Sequence, residues 1–187
     1  MAKPYKTGLI VGRFQVFHLG HEQMIRKSLE ICDTTLVFIG SSQESLTQKN
    51  PFSYDLRKEI LSDIFTEEIN DGTLKICPLK DIGVGNNYSW GNYVFSSAKQ
   101  ELGYFPELLV SGKETRRVDW FDGEDINIAE LYIPKSIDIS ASKIRESIVN
   151  GDFKFWKQYT NPKLWNKYEN MRSIIIASQK NIQTESL

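Results

Sequence analysis

The sequence alternates short apolar runs with longer amphipathic segments, and this alternation limits the folds open to the chain. Residues 7–13 (TGLIVGR) form a short apolar run closed by glycine and arginine, which is typical of a buried strand. Residues 20–33 place apolar side chains at a period of about 3.6 residues, and residues 35–39 (TLVFI) are again β-branched and aromatic. Two strands joined through one helix form the βαβ unit of a parallel sheet.

The alternation continues to residue 149. The later strands are predicted at 74–77, 108–111 and 129–133, and the later helices at 53–65, 90–102 and 140–149. Ser53 is placed to cap the first of these helices, and Asn150-Gly151 is a stop signal for the last. The predicted fold class is therefore α/β, with an open, doubly wound parallel sheet that binds ligands at the carboxyl ends of its strands.

We predict one domain at 1–150 and a small C-terminal helical extension at 151–187 that packs on the same domain. Two short helical pieces are expected in the extension, divided at Asn161-Pro162. The tail from Gln179 onward is polar, and we expect about its last eight residues to be frayed.

Charge and cysteine content limit the classes of partner and the cellular location expected for the protein. The chain has 23 basic and 24 acidic side chains and a net charge of -1, which gives no support for a partner such as nucleic acid or a membrane surface. No apolar run approaches the roughly 20 residues of a membrane span. Cys32 and Cys77 are far apart and form no CxxC pair, so we expect neither a disulfide framework nor a structural zinc site. These features favour a reducing, cytoplasmic location.

Residues 12–21 read GRFQVFHLGH and contain both histidines of the chain, His18 and His21. The segment joins the first predicted strand to the first predicted helix, where a helix N-terminus and loop amides favour an anion. Two imidazoles at this spacing can point at one ligand, and Arg13 adds a planar cation suited to phosphate oxygens. The segment therefore indicates a phosphate site.

Two other interpretations of the histidines stay open at this point. The pair could bind a metal ion, although the chain has no third histidine and no nearby carboxylate pattern that completes a zinc site. The two residues could also be surface side chains or hydrogen-bonded members of the core.

The tetrapeptide HLGH fits the HxGH signature of the nucleotidyltransferase superfamily. Together with IGSSQESLTQKNPFS, DIGVGNNYSWGNYV, LLVSGK and ISASKIRESI, it resembles the archaeal-type nicotinamide mononucleotide adenylyltransferases over about residues 7–150. This ordered set is more specific than HxGH alone. The resemblance implies a Rossmann-like nucleotidyltransferase fold and an enzyme that transfers AMP from ATP to nicotinamide mononucleotide (NMN), giving NAD and pyrophosphate.

The resemblance also implies a set of ATP-binding residues, with His18, His21, Arg13 and Arg145 as the catalytic ones. The full implied set lies in the HxGH segment, at the end of strand 108–111 and in a segment like the family motif ISxTxxR: Gly12, Arg13, Phe14, His18, Gly20, His21, Ser111, Gly112, Ile139, Ser140, Ser142 and Arg145. Ser142 stands where the motif has threonine, and it keeps the hydroxyl. The alternative for this last segment is a solvent-exposed helix start.

For NMN, the resemblance implies contacts from three further segments: Gln15, Ser41, Ser42, Arg57, Asn87 and Trp90. The amide of Asn87 would recognise the carboxamide, and the Trp90 ring would stack on the pyridinium, a cation that an indole attracts. Arg57 could contact a phosphate or be a surface helix charge, and Trp90 could be a core residue.

Some parts of the chain depart from the family pattern or match none. Val16 stands where many relatives have proline, which removes no chemical group. The segment 113–128 matches no pattern, so Lys113, Arg116 and Arg117 could line the nucleotide site or be solvated.

Cofactor, assembly and competing functions follow from the resemblance as well. It implies a divalent ion, Mg²⁺, held mainly by the ATP phosphates and water rather than by protein ligands, and a homo-oligomer. The alternatives are another HxGH nucleotidyltransferase, acting on nicotinate mononucleotide, phosphopantetheine or a polyol phosphate, or a non-catalytic nucleotide sensor.

Overall fold

The structure is a computed structural model that describes residues 2–85, 87–112, 120, 128–134 and 137–184. Five strands of these ranges form one all-parallel sheet in the order β3-β2-β1-β4-β5. The strands are β1 Tyr5–Gly12, β2 Cys32–Ile39, β3 Leu74–Pro78, β4 Leu108–Ser111 and β5 Ala129–Tyr132. The predicted α/β class with a doubly wound parallel sheet is confirmed.

Helices connect the strands and cover both faces of the sheet. They are α1 Leu19–Ile31, α2 Tyr54–Ile64, α3 Thr66–Asn70, α4 Tyr88–Leu102, α5 Ala141–Val149, α6 Phe153–Tyr159 and α7 Tyr168–Thr184, with a 3₁₀-helix at Pro162–Lys167 before α7. In the described ranges, no helix is both long and apolar enough to cross a membrane.

Alternate side chains of each strand enter two separate apolar cores, as the two-residue period of a strand requires. Ile10 and Val37 enter one core together with side chains of α1, α2, α5 and the C-terminal helices. Leu9 and Leu36 enter the other core, which α4 and Trp120 cover. Because both faces of the central strands are buried, residues 8–12 of β1 and 36–39 of β2 are continuous apolar runs without polar alternation.

The observed element boundaries differ from the predicted ones where tertiary contacts override the local pattern. β2 begins at Cys32, directly after α1, because Cys32 pairs with Tyr5 in the parallel ladder. The strand therefore begins three residues before the predicted start at 35, whereas α1 ends within one residue of the predicted end around Cys32. Helix α4 begins before Trp90, because the side chain of Asn87 caps it at Tyr88. The five-residue helix α3 has no predicted counterpart, since so short a segment shows no period.

The C-terminal extension contains three helical elements rather than the two short pieces predicted, and α7 alone has 17 residues. Trp156, Leu164 and Met171 from this extension enter the first core, beside the side chains of β1 and β2. The backbone of α7 is helical to Thr184. The domain limit at residue 150 and the frayed tail stay predictions.

The strand order determines where a ligand site can form. From β1 the chain moves outward to β2 and then β3, and it returns through α4 to β4 on the other side of β1. The direction of winding therefore reverses between β1 and β4. A crevice outside the carboxyl ends of these two strands is the expected binding position in a sheet of this type.

Candidate active site

A cavity of about 650 Å³ lies at this switch point. The ends of the strands contribute to its wall through Gly12 at the end of β1, Gly40 after β2, Ser111 and Gly112 at β4, and Ile133 after β5. The small residues at these positions leave the cavity open to a ligand next to the backbone. The cavity is thus in the position that the topology predicts.

His18 and His21 stand together at the start of α1. His18 is the N-cap residue of the helix, and its Nδ1 accepts a hydrogen bond of 3.2 Å from the backbone N–H of Gly20. The His21 ring stacks on the His18 ring with a centroid distance of 3.7 Å. Both residues line the cavity. The structure therefore brings the two imidazoles to one point of the wall, as the sequence predicts.

The environment of His21 keeps its ring uncharged. Burial, and after it the nearby His18, lower the pKa of His21 well below its usual value of 6.5. The ring edge of His21 also packs against Phe14, at a centroid distance of 5.0 Å. Its Nδ1 is buried and makes no hydrogen bond with the described residues, which leaves Nε2 as the ring nitrogen available to a ligand. At neutral pH, His21 is thus a neutral hydrogen-bonding group.

A second helix N-terminus reaches the same cavity. Ser140 caps α5 by accepting a hydrogen bond of 3.3 Å from the N–H of Lys143, and both Ser140 and Ala141 line the cavity. The N-termini of α1 and α5 thus border the same cavity. Unpaired N–H groups and the helix dipole give each end a partial positive charge, so the pair favours an anion.

Most residues predicted for ATP line this cavity: Gly12, Arg13, Phe14, His18, Gly20, His21, Ser111, Gly112, Ile139 and Ser140. Two do not, because Ser142 and Arg145 line a neighbouring depression of about 370 Å³. The Arg145 guanidinium donates to the backbone oxygen of Gln15 and, at 3.2 Å, to Oγ of Ser142. Burial, and then the charge of Arg13, lower the pKa of Arg145.

Fewer of the residues predicted for NMN face the cavity. Ser41 and Trp90 line it, whereas Gln15, Ser42, Arg57 and Asn87 do not belong to its wall. The side-chain amide of Gln15 is buried and exchanges two hydrogen bonds of 2.9 Å with the backbone of Phe52. This amide therefore joins the loop after β1 to the segment before α2.

Arg57 lies in neither of the two predicted environments. Its side chain is fully buried, at 0% exposure, so the surface-charge interpretation is wrong. The phosphate-contact interpretation finds no support in the geometry, since the guanidinium donates to four backbone oxygens: those of Arg13, Gly40, Ser41 and Ser53. Burial, and then the charge of Arg13, lower the pKa of Arg57 to about 10.

The side chain of Asn87 and the backbone N–H of Ser42 also make hydrogen bonds within the protein. Oδ1 of Asn87 accepts from the N–H of Trp90 at 3.2 Å, and its Nδ2 donates to the backbone oxygen of Val84 at 2.6 Å. The backbone N–H of Ser42 donates to the oxygen of Leu79 at 3.1 Å. Asn87 thus acts in this structure as a helix cap that fixes the position of Trp90.

Trp90 combines the two roles considered for it. It lines the cavity, and it also packs against Tyr93 and, edge to face at a centroid distance of 6.4 Å, against Trp120. Trp120 is almost fully buried and forms part of the same wall. Gly91 permits this arrangement, because a Cβ there would collide with the Trp120 backbone.

Among the wall residues outside the predicted set, three are charged or aromatic. Lys49 lines both the main cavity and the depression at Arg145, and Asp81 brings a carboxylate to the main cavity. The third is Trp120. For Trp120 the available signal is Gly91, a glycine inside a helix, which often marks a close backbone approach. Lys113, Arg116 and Arg117 lie outside the described residues.

The described residues include no cluster of three or more His, Cys, Asp or Glu side chains that could hold a metal ion. The metal-site interpretation of His18 and His21 therefore gains no further ligand from this part of the chain. Their Nδ1 atoms also do not point to a shared ion, because that of His18 accepts from the backbone of Gly20.

Comparisons with known proteins agree with this geometry. A family model described as cytidylyltransferase-like matches residues 9–147. The chain is similar to the nicotinamide-nucleotide adenylyltransferase of Aeropyrum pernix, with 32% identity over 85% of this chain and 88% of that protein. It is also similar to the enzyme of the same name from Pyrococcus horikoshii, with 39% identity over 78% of this chain and 74% of that protein.

A solved structure shares the fold. It is a bifunctional NMN adenylyltransferase/ADP ribose pyrophosphatase from Francisella tularensis, complexed with AMP and a manganese ion. The TM-score is 0.75 at 22% identity, and the match covers 96% of this chain and 54% of that one. The chain thus spans about half the length of that bifunctional protein.

Proposed function

Because the chain belongs to the cytidylyltransferase-like family, we propose that it transfers AMP from ATP to NMN and releases NAD and pyrophosphate. The observation that carries this proposal is the convergence of two helix N-termini, two histidines and Arg13 on one cavity. Such a set favours a ligand with several phosphate groups. The two relatives named above bear this activity in their names and match most of the chain.

In the proposed reaction, a phosphate oxygen of NMN attacks the α-phosphorus of ATP. A P–O bond forms there while the bond from the α-phosphorus to the oxygen that bridges to the β-phosphate breaks. Pyrophosphate leaves with the bonding electrons. The nucleophile comes from a substrate, so the protein contributes positioning and charge stabilisation.

The two histidines act as hydrogen-bond donors in this proposal. Nδ1 of His18 accepts from Gly20, so the neutral ring carries its proton on Nε2 and can donate it to a phosphate oxygen. The lowered pKa of His21 makes this ring neutral at the pH of the reaction as well. The His21 ring stabilises the charge that develops on phosphate oxygens without itself being a cation.

Permanent positive charge comes from Arg13 and Lys49 on the cavity wall. Lys49 also belongs to the depression that Ser142 and Arg145 line, so a chain of phosphates that passes Lys49 would reach the Arg145 guanidinium. We therefore keep Ser142 and Arg145 on the pyrophosphate side. Trp90, which also lines the cavity, is proposed to stack on the pyridinium of NMN.

A divalent ion fits the donor set only as a companion of the nucleotide. The wall has one carboxylate among its described residues, that of Asp81, and this group also accepts a hydrogen bond of 3.0 Å from the N–H of Gly83. One carboxylate with substrate phosphates and water is a usual environment for Mg²⁺. We propose Mg²⁺ as this ion, which supplies charge neutralisation to the phosphates when bound.

The remaining expectations for the setting are proposals too. Both Cys32 and Cys77 are free thiols, which supports a reducing, cytoplasmic location. We also propose a homo-oligomer. The ligands are the small molecules ATP and NMN, with no role for nucleic acid or a membrane.

A coupled assay for NAD formation tests the proposal. The purified chain is mixed with ATP, Mg²⁺ and NMN, and both NAD and pyrophosphate are measured. Parallel reactions contain nicotinate mononucleotide, phosphopantetheine or a polyol phosphate instead of NMN. NAD in the first reaction at a higher rate than product in the others supports NMN as the acceptor. Nucleotide binding without any product would favour a sensor.

A further inference from the structure

Arg57 is a buried cation placed between two loops of the cavity wall. Its Nη1 donates to the backbone oxygens of Arg13 and Gly40, each at 2.8 Å, and its Nη2 donates to that of Ser41 at 3.1 Å. Arg13 follows β1, whereas Gly40 and Ser41 follow the adjacent β2. One guanidinium thus holds the carboxyl ends of both strands.

These bonds determine the direction of three peptide groups. In a trans peptide the C=O and the N–H point in opposite directions. The peptides whose oxygens turn toward Arg57 therefore direct the N–H groups of Phe14, Ser41 and Ser42 away from it. The N–H of Ser42 binds the oxygen of Leu79, but those of Phe14 and Ser41 make no hydrogen bond with the described residues.

Phe14 and Ser41 share two further properties. Both line the main cavity, and both have a positive φ, 52° for Phe14 and 46° for Ser41. Non-glycine residues adopt this conformation at a cost, and backbone turns that contain it can present N–H groups to an anion. The bonds from Arg57 hold the peptide before Phe14 and the peptides on both sides of Ser41 in place.

We propose that Arg57 is a positioning residue, which turns the peptide groups after β1 and β2 so that the N–H groups of Phe14 and Ser41 bind a substrate phosphate. This inference rests on the proposed function for the identity of the substrates. It assigns Arg57 no contact with them, in contrast to the role implied by the family resemblance. The buried cation itself adds positive potential beneath the phosphate position.

The protonation of Arg57 agrees with this role. Although burial lowers its pKa to about 10, the guanidinium stays charged at neutral pH. The hydrogen bonds of its side chain go to carbonyl oxygens, and the nearby Glu44 carboxylate, which favours the charged form, makes no salt bridge with it among the described residues. The two functions, orientation of the loops and positive potential, therefore come from one side chain.

The experiment compares two ligands that differ only by the phosphate: NMN and nicotinamide riboside. Arg57→Lys keeps the positive charge but loses the planar fork that reaches both loops. We expect the affinity for NMN to fall by about tenfold, the factor that corresponds to one charge-assisted hydrogen bond, and the affinity for the riboside to change by less than about twofold. Titration calorimetry, with competition for the weaker ligand, gives both constants.

Arg172 provides the matched control. Its guanidinium also donates to backbone oxygens, those of Ile148 and Val149, but it lies outside both cavities. Arg172→Lys should lower the melting temperature and leave the ratio of the two affinities unchanged. Equal losses for NMN and the riboside in Arg57→Lys would overturn the proposal, and so would a selective loss of NMN binding in Arg172→Lys.

A second measurement needs no variant, and it decides the matter if Arg57→Lys does not fold. Inorganic phosphate, the group by which NMN differs from the riboside, is titrated into the ¹⁵N-labelled protein, and the amide protons of Phe14 and Ser41 are followed. We expect both to move downfield as they bind the anion, and unmoved resonances at saturation would overturn the proposal. Because inorganic phosphate is the probe, this result does not depend on NAD formation, so failure of the proposed function would be seen separately.

Discussion

The two sides of the cavity differ in the source of their ligand-binding groups. On the histidine side, which comprises the residues predicted for ATP, the wall consists largely of glycines, helix N-termini and the two imidazoles. On the tryptophan side, which comprises the residues predicted for NMN, the side chains of Gln15, Arg57 and Asn87 bind the backbone of their own chain. Only Ser41 and Trp90 of that side reach the wall.

This difference has a physical cause. Buried N–H and C=O groups of a loop need hydrogen-bond partners, and the side chains nearest to them are the usual supply. A polar residue in a loop is therefore as able to complete the loop as to bind a ligand. A glycine or a helix N-terminus offers its backbone groups directly to a ligand. Its position in a motif is therefore enough to predict that it binds one.

The largest effect is expected on the histidine side, where His21→Ala should lower turnover by at least about 100-fold. The substitution removes a pre-organised donor from the site at which phosphate charge develops. Initial rates of NAD formation measure the effect, and thermal melting tests whether loss of the stacking on His18 unfolds the helix start. His21→Asn keeps an N–H donor and should retain more activity. Full activity of the alanine variant would contradict the mechanism.

On the tryptophan side, Trp90→Ala should lower the affinity for NMN by about tenfold and the affinity for ATP much less. The expected loss is that of a cation–π contact with a partly desolvated ring. Dissociation constants for the two substrates, measured separately, give the comparison. Trp90→Phe keeps an aromatic face, so its affinity for NMN should lie between those of the original protein and Trp90→Ala. If NMN and ATP lose affinity equally, Trp90 acts through its packing on Trp120 and the two sides are not distinct.

A smaller effect is expected at Asn87. Two substitutions there distinguish its role as a helix cap from recognition of the NMN carboxamide by its amide. Asn87→Ala removes the cap of α4 and should cost about 1 kcal/mol of unfolding free energy. Asn87→Ser keeps a capping oxygen but has no amide, so it should preserve stability and leave NMN affinity within about twofold. Urea unfolding and NMN titration measure the two quantities. A selective loss of NMN affinity in Asn87→Ser would instead assign carboxamide recognition to Asn87.

Much of the fold could be predicted because its signals are local. β4 occupies residues 108–111 as predicted, and Ser53 caps α2 as expected. The HxGH segment also lies where a strand end and a helix start meet, so its place at the cavity follows from the alternation of elements. Period and capping residues are properties of a few neighbouring residues, which a single sequence displays.

The rest depends on contacts between distant residues. Nothing near Arg57 shows that its guanidinium will reach the backbone of Arg13, which is 44 positions away. Lys49 lies in a loop without a period, and its place between two cavities results from the packing of α5 near that loop. Side-chain contacts of this kind depend on the tertiary structure, and the local sequence pattern does not predict them.

The smallest predicted effect concerns how the free energy of unfolding depends on pH. It compares the original protein with the variant His21→Asn. The pKa of His21 in the folded protein lies below 6.5, its usual value, so as the pH falls below about 6.5 the unfolded chain takes up a proton that the folded chain does not. The free energy of unfolding should therefore fall as the solution is acidified from about pH 6.5 toward the folded pKa. His21→Asn lacks this group and should show a shallower decline, since its other titrating residues are the same. Urea unfolding of both proteins at a series of pH values measures the difference, and parallel curves would show that the buried environment of His21 does not hold in solution.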